Sequence, residues 1–292
     1  MMKLLVTGAA GQVGRELMRA LAPLGTVVGL DRAGMDLSDA DGMRRAIRDC
    51  KPGLIVNAAA YTAVDRAESE PELAHAINAV APGIIAQEAR DCGAALIHYS
   101  TDYVYDGLKA FAYLESDATA PLSVYGASKL AGERAIEAAG GRHLILRTSW
   151  VYGVHGKNFL LTIRRLAMER EELSVVNDQI GAPTWSRMIA QATALIAARW
   201  CASASRGGTY HLSAGGQTSW FDFARAILEL LPADERRRLQ VAGLKPIPTS
   251  QYPLPAKRPR NSVLSNEKLE REFAIHLPNW RASLSSCIED LC

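Results

Sequence analysis

Short apolar runs alternate with longer stretches of helical periodicity through the first half of the chain. Residues 3–7, 26–30, 54–57, 94–100 and 143–148 are short, apolar and bounded by Gly, Asp or Asn, the pattern of buried strands. Between them, residues 12–22, 40–50, 72–92 and 124–139 carry the spacing of amphipathic helices. Strand–helix alternation of this kind implies a parallel sheet covered on both faces, and right-handed crossovers wind it doubly. The expected fold is therefore α/β, a Rossmann-type doubly wound parallel sheet with a smaller, loop-rich lobe. That lobe is read from the second half. Prolines cluster from Pro246 to Pro259, where long regular elements are disfavoured, and helical patterns persist at residues 159–170, 185–200 and 220–231. The division is placed near residue 153. Residues 1–153 form a dinucleotide-binding domain and 154–292 mainly a substrate-binding lobe, with helices in the 185–231 stretch expected to pack back on the sheet.

Composition narrows this picture. Of 292 residues, 48% are hydrophobic and 22% charged, which suits a soluble globular enzyme. A formal net charge of +2 argues against a dedicated nucleic-acid binder. Cys50, Cys92, Cys201, Cys287 and Cys292 show no short pairing of the zinc or redox kind, so reduced thiols are expected. No apolar stretch is long enough for a signal core or a membrane span, so the expected location is cytoplasmic, with neither membrane nor nucleic acid as partner.

The run Thr7-Gly8-Ala9-Ala10-Gly11-Gln12-Val13-Gly14 follows the first strand and opens the first helix. Glycines here permit a tight turn, close approach of a pyrophosphate to the backbone, and close helix–strand packing. Asp31 ends the second strand, where a carboxylate meets adenosine ribose hydroxyls. Arg32 follows it and suits the extra phosphate of NADPH, so NADH and NADPH both stay open. Asp36 and Leu37 come next as a bracket for the adenine. Ala58, Ala59 and Ala60 close the third strand with side chains small enough for a cofactor to lie on the backbone.

Tyr125 and Lys129 lie one helical turn apart on the same face. A phenol has an ordinary pKa of about 10, and a nearby ammonium lowers it. The same lysine can hold a nicotinamide ribose. Thr101 ends the fourth strand and can donate to a substrate carbonyl, with Asp102 beside it. Three separate segments thus converge on one pocket.

These runs resemble the extended short-chain dehydrogenase/reductase superfamily and, within it, the dTDP-4-dehydrorhamnose reductase family. The likeness covers nearly the whole chain. It rests on Gly8–Gly14, on 57–65 (Asn-Ala-Ala-Ala-Tyr-Thr-Ala-Val-Asp), on 100–105, on 125–133, on 147–152 and on 177–184. The resemblance implies reduction of the C4 ketone of dTDP-4-dehydro-β-L-rhamnose with NADPH or NADH, with Tyr125 as proton donor. It extends the cofactor contacts to Gln12, Val13, Tyr61 and Thr62, and makes Trp150 a substrate contact. Asn158, Gln179 and Thr184 are further substrate candidates, and Arg258, in the one compact basic cluster, is a candidate for the diphosphate.

Some members of the family join two subunits through a divalent metal held by carboxylates. Glu16 and the Glu289-Asp290 pair match two of those positions, but the third is Arg187, which cannot ligate a cation. An ion pair in place of the metal, or no such homodimer interface, is expected, and no metal is assigned. Rival readings are a dehydratase or epimerase and a non-catalytic regulatory subunit. Dehydratases on this scaffold place an acid directly after the Thr-Asp step, where this chain has Tyr103. The joint presence of Thr101, Tyr125 and Lys129 favours an enzyme over a regulatory subunit.

Overall fold

The computed structural model describes residues 2–203 and 207–291. Cys292, counted above among the thiols, lies outside them. Six parallel strands build the centre: β1 (Lys3–Thr7), β2 (Thr26–Leu30), β3 (Leu54–Asn57), β4 (Ala95–Thr101), β5 (His143–Thr148) and β6 (Gly207–His211), in the order β2-β1-β3-β4-β5-β6. Every residue of β3 and β4 is buried, which is why these strands read as continuous apolar runs. The chain steps outward from β1 to β2, then returns across β1 to lay down β3. This reversal opens a crevice at the carboxyl ends of β1 and β3, where sheets of this topology bind ligands.

The helices follow their sequence signals. α1 (Gln12–Ala20) starts at the glycine turn, and α2 (Ala40–Cys50) starts where the Asp39 carboxylate accepts from the Gly42 N–H. The stretch 72–92 is helical but not uniform. Pro71–His75 leads into a π turn, Ala76–Val80, before α3 (Ala81–Asp91). Pro82 has no N–H to give the Asn78 carbonyl, so the ordinary ladder cannot pass through that point. α4 (Val124–Ala139) opens on the Ser123 hydroxyl, which accepts from the Gly126 N–H, and ends at left-handed Gly140.

Both faces of the sheet are covered. On one face Leu4, Val6, Leu17 and Leu21 meet Ile189, Ile196 and Trp200 of α6 (Ser186–Cys201), while α5 (Phe159–Glu169) belongs elsewhere. On the other face Leu5, Ile47, Ile55, Ile85 and Ile136 tie α2, α3 and α4 to the strands. A third core joins α5, α7 (Trp220–Leu230) and α8 (Trp280–Glu289) through Leu160, Phe223, Ile227 and Leu284.

Elements beyond residue 153 return to the first sheet, as expected for part of the 185–231 stretch. α6 packs on α1, and β6 extends the first sheet beside β5, while α7 belongs to the core of the lobe. The proline-rich stretch still contributes a short strand. Gly243–Ile247 pairs in parallel with Glu172–Val176 in a two-stranded sheet, where both strands are edges and Pro246 is tolerated. Among the described residues no helix is long and apolar enough to cross a membrane.

Candidate active site

A cleft of about 700 Å³ runs along the carboxyl ends of the strands. Its floor is the glycine turn. Gly8 has a left-handed φ of +66°, and a Cβ there would lie 2.8 Å from the Ala59 nitrogen. A Cβ on Gly14 would lie 2.0 Å from the Gly8 carbonyl oxygen, so helix and strand meet at backbone distance. α1 begins at Gly11 with no side-chain cap and no acid in its first turn, which leaves its first N–H groups for an anion.

Gly8, Gly11, Gln12, Val13, Asp31, Arg32, Asp36, Leu37, Ala58, Ala59, Ala60, Tyr61 and Thr62 all line this cleft. Asp31 turns one oxygen back to the Ala33 and Gly34 N–H groups. Arg32 pairs with Asp36 at 3.3 Å and is 81% exposed, so a cation stands at the mouth beside two carboxylates. The Ser38 N–H and hydroxyl hold Asp36 below its ordinary value, with Arg32 adding to the effect.

Thr101, Asp102, Tyr125, Lys129 and Trp150 line the other end. The Thr101 hydroxyl donates to Asp102 at 2.9 Å and accepts the Tyr103 N–H at 3.2 Å. Burial pushes the Asp102 carboxyl up to about 7, offset in part by the neighbouring Ser262 and Thr101 hydroxyls. Burial likewise pushes Tyr125 up to about 12; the Thr101 hydroxyl opposes this and the Asp102 charge adds to it. Lys129 is brought down to about 8 by burial, with Glu133 acting against the shift. Its Nζ donates to the Tyr99 carbonyl at 2.6 Å and lies 3.1 Å from His98 Nε2. The expected lowering of the phenol by a neighbouring ammonium is thus not what the structure shows. Desolvation dominates, and the lysine is turned toward β4. A phenol near 12 is firmly protonated at neutral pH, the state a proton donor needs.

Three polar atoms on the cleft wall are buried and without a partner: Ser100 Oγ, Asp102 Oδ2 and Thr148 Oγ1. Unpaired buried groups are costly, and a ligand with complementary donors and acceptors relieves that cost.

Trp150 holds a left-handed φ of +47°, which is uncommon for a bulky residue. Its indole stacks on Trp220 at 3.5 Å with planes 4° apart, and the pair forms one wall. Trp220, Lys157 and Tyr103 line the cleft but were not singled out as site residues from the sequence. Lys157 is the only Lys or Arg in residues 151–163, a signal that was available.

Asn158, Gln179, Thr184 and Arg258 stand outside the residues that line the cleft, although Arg258 lies against Tyr103 of its wall. Asn158 caps α5 and donates to Gln12 Oε1 at 2.9 Å, clasping its loop to the cofactor end. Gln179 donates to Thr249, and Thr184 is fully buried with Ala182 and Ala214 as partners. The Arg258 guanidinium grips Asp65 with both oxygens at 3.1 and 2.8 Å. In this structure its charge ties the proline-rich loop to the first half through Asp65.

Arg187 sits where the metal expectation turned. Its guanidinium is 3.2 Å from Glu16 and also pairs with Asp290. A cation built into the chain thus bridges the two acids. Among the described residues no group of three or more His, Cys, Asp or Glu is arranged to hold a metal. EDTA is expected to leave the sedimentation coefficient unchanged, whatever the oligomeric state; an EDTA-induced drop in mass would overturn this.

The sequence matches the family model for the RmlD substrate binding domain over residues 2–292. A dTDP-4-dehydrorhamnose reductase of Burkholderia thailandensis is 51% identical over 99% of both chains, and one of Escherichia coli K12 is 47% identical over 99% of this chain and 98% of its own. The chain belongs to the dTDP-4-dehydrorhamnose reductase family. Solved structures of the family agree. The Clostridium acetobutylicum reductase superposes with a TM-score of 0.92 at 36% identity, covering 99% of each chain. The Bacillus anthracis reductase, solved in complex with NADP, gives 0.89 at 34% and the same coverage. A UDP-glucose 4-epimerase of Thermus thermophilus, at 22% identity, shares the fold alone.

Proposed function

We propose that this protein reduces the C4 ketone of dTDP-4-dehydro-β-L-rhamnose to dTDP-β-L-rhamnose, using NADPH or NADH. The observation that carries this reading is the meeting of Thr101, Tyr125 and Lys129 at one end of the cleft whose other end is the glycine turn. The cleft fits a dinucleotide. Gly8 and Gly14 leave no room for a Cβ, and the first N–H groups of α1 lack caps. Gly8, Gly11, Gln12 and Val13 would hold the pyrophosphate, Asp31, Arg32 and Asp36 the adenosine, and Ala58–Thr62 the inner face. The bound cofactor supplies the hydride to C4.

The residues of the chain do the rest. Tyr125 donates its hydroxyl proton to the oxygen that gains charge as the carbonyl is reduced. Thr101 gives its one hydroxyl proton to Asp102 in the structure and would turn it to the same oxygen as charge develops there, while the Tyr103 N–H holds its Oγ in place. Lys129 supports Tyr125 from one turn further along α4. The Trp150–Trp220 wall packs a sugar face, and Lys157 brings a positive charge to the cleft for an anionic nucleotide. We also place the enzyme in the cytoplasm.

Loss of reduced-nicotinamide absorbance with dTDP-4-dehydro-L-rhamnose tests the reaction directly, run in parallel with NADH and NADPH. Turnover is expected, and its absence with cofactor still bound would sink the proposal. Gly14→Ala is expected to weaken NADPH binding at least tenfold, since overpacking here costs about 1–3 kcal/mol and must push the turn open. A fluorescence titration gives the affinity, and an unchanged value would contradict this role of the turn.

A further inference from the structure

Below the cleft floor a line of polar side chains crosses three strands and ends on the lysine. Thr7 of β1 is 2.6 Å from Asn57 Oδ1 of β3. Asn57 Nδ2 is 3.0 Å from His98 Nδ1 of β4, and His98 Nε2 is 3.1 Å from Lys129 Nζ of α4. None of these four residues is more than 2% exposed. A core of this kind is ordinarily filled with apolar side chains, which are as stable or more so. Burying four polar groups in series therefore calls for a reason.

Proton positions along the line follow from one fixed donor. The Ala59 backbone N–H points at Asn57 Oδ1 at 3.2 Å. A backbone N–H can only donate, so the oxygen of the Asn57 amide must lie on that side. Thr7 can donate or accept and satisfies either case. The amide NH₂ then faces His98 Nδ1, which must accept. A neutral imidazole that accepts at Nδ1 carries its proton on Nε2. That N–H points at Lys129 Nζ, and an ammonium has no lone pair to receive it. An amine does, and it still donates to the Tyr99 carbonyl.

We propose that His98 is a positioning residue that disfavours the ammonium form of Lys129 in the cofactor-free enzyme, through a buried donor–acceptor line that begins at the Ala59 N–H. Protonating Lys129 would require the imidazole proton to move to Nδ1 and the Asn57 amide to flip. The amide NH₂ would then confront the Ala59 N–H. The state of the lysine is thus tied to the backbone of the cofactor cradle, because Ala59 lines the cleft and lies against Gly8. Glu133, one turn along α4, favours the ammonium, but both its oxygens are engaged by Arg147 of β5 at 2.9 and 2.6 Å. Tyr125 and, beyond it, Asp102 lie on the cleft side. Burial holds His98 well below its ordinary value, in keeping with a neutral ring.

Only the link to turnover rests on the reductase reading; the protonation states are measured without substrate. The first experiment is ¹⁵N NMR of the histidines in the cofactor-free protein on the alkaline side of the Lys129 midpoint, with His98 assigned by its loss in His98→Gln. A neutral ring protonated at Nε2 is expected, and a proton on Nδ1 overturns the proposal. The second is the titration of Lys129 Nζ in protein carrying ¹⁵N-lysine. A glutamine at position 98 can turn its oxygen to Nζ and accept from an ammonium. Its midpoint is then expected to rise by about one pH unit or more, a tenfold gain in proton affinity. The alkaline limb of kcat/KM should move with it. A merely structural histidine would lower stability and leave that midpoint where it was, and such a result also overturns the proposal. If His98→Gln does not fold, the wild-type resonances, assigned through Asn57→Asp, still decide the tautomer.

Discussion

Tyr125→Phe is expected to lower kcat/KM for the keto-sugar nucleotide by about 10²- to 10⁴-fold, the range usual for loss of a positioned general acid. The substitution removes one oxygen and leaves the ring, so the edge-on contact with Tyr103, at 5.7 Å between centroids, survives. NADPH affinity should hardly change, because the glycine turn and the wall formed by Ala58–Thr62 are untouched. The loss should fall mainly on kcat, since the proton is needed as charge builds on the carbonyl oxygen, not when the ketone binds. The phenol near 12 adds a pH signature. Tyr125 keeps its proton throughout neutral and mildly alkaline pH, so an activity limb in that range belongs to another group. Asp102, near 7, and Lys129, near 8, are the candidates in the cleft. Steady-state kinetics of the pure variant settle the point. Wild-type kcat would remove Tyr125 from the chemistry, and a loss confined to KM would make it a binding residue.

Most of this cleft was legible because its parts are local. The glycine turn, the strand ends at Asp31 and Thr101, and the Tyr125–Lys129 turn each announce themselves within a few residues. What the sequence left out depended on distant partners. The partner of Arg258 in the fold, Asp65, lies far away in sequence and is brought up only by folding. Trp220 stacks on Trp150 across the whole length of α5 and α6, and no spacing rule reports that meeting. β6 was missed for a different reason. Its sequence, Gly-Gly-Thr-Tyr-His, is short and carries glycines at φ of +107° and +144°, so it lacks the β-branched run that marks a strand. It pairs with β5 because Tyr210 is buried in the core and His211 bonds to Tyr105. The π turn at Ala76–Val80 could have been suspected from Pro82 inside a helical pattern. Its consequence could not. There Asn78 clips both backbone groups of Tyr61 and reaches Ser128, tying the cleft wall to α4.

Arg147→Met is expected to cost about 3–5 kcal/mol of folding free energy, because it strands the buried carboxylate of Glu133. Arg147 and Glu133 are only 7% and 2% exposed at the side chain, and the guanidinium meets both carboxylate oxygens. A third bond runs to the Tyr105 hydroxyl at 2.7 Å, and that hydroxyl also meets His211 Nε2 at 2.8 Å. This network joins α4, β5 and the end of β6 just beneath the lysine turn. Arg147 itself is thereby accounted for by architecture beneath the site, whereas Thr148, Trp150 and Val151 of the same run line the cleft. Removing both charges separates the two contributions. Arg147→Met with Glu133→Leu should recover much of the lost stability, since well-packed apolar pairs often equal or exceed a buried ion pair. The double variant also takes away the one acid that favours the Lys129 ammonium, so its lysine should titrate lower than in the wild type. Urea unfolding of the wild type and the three variants measures the coupling. If the single Arg147→Met change costs no more than an exposed pair would, about 0–1 kcal/mol, then the ion pair is not what holds α4 against β5.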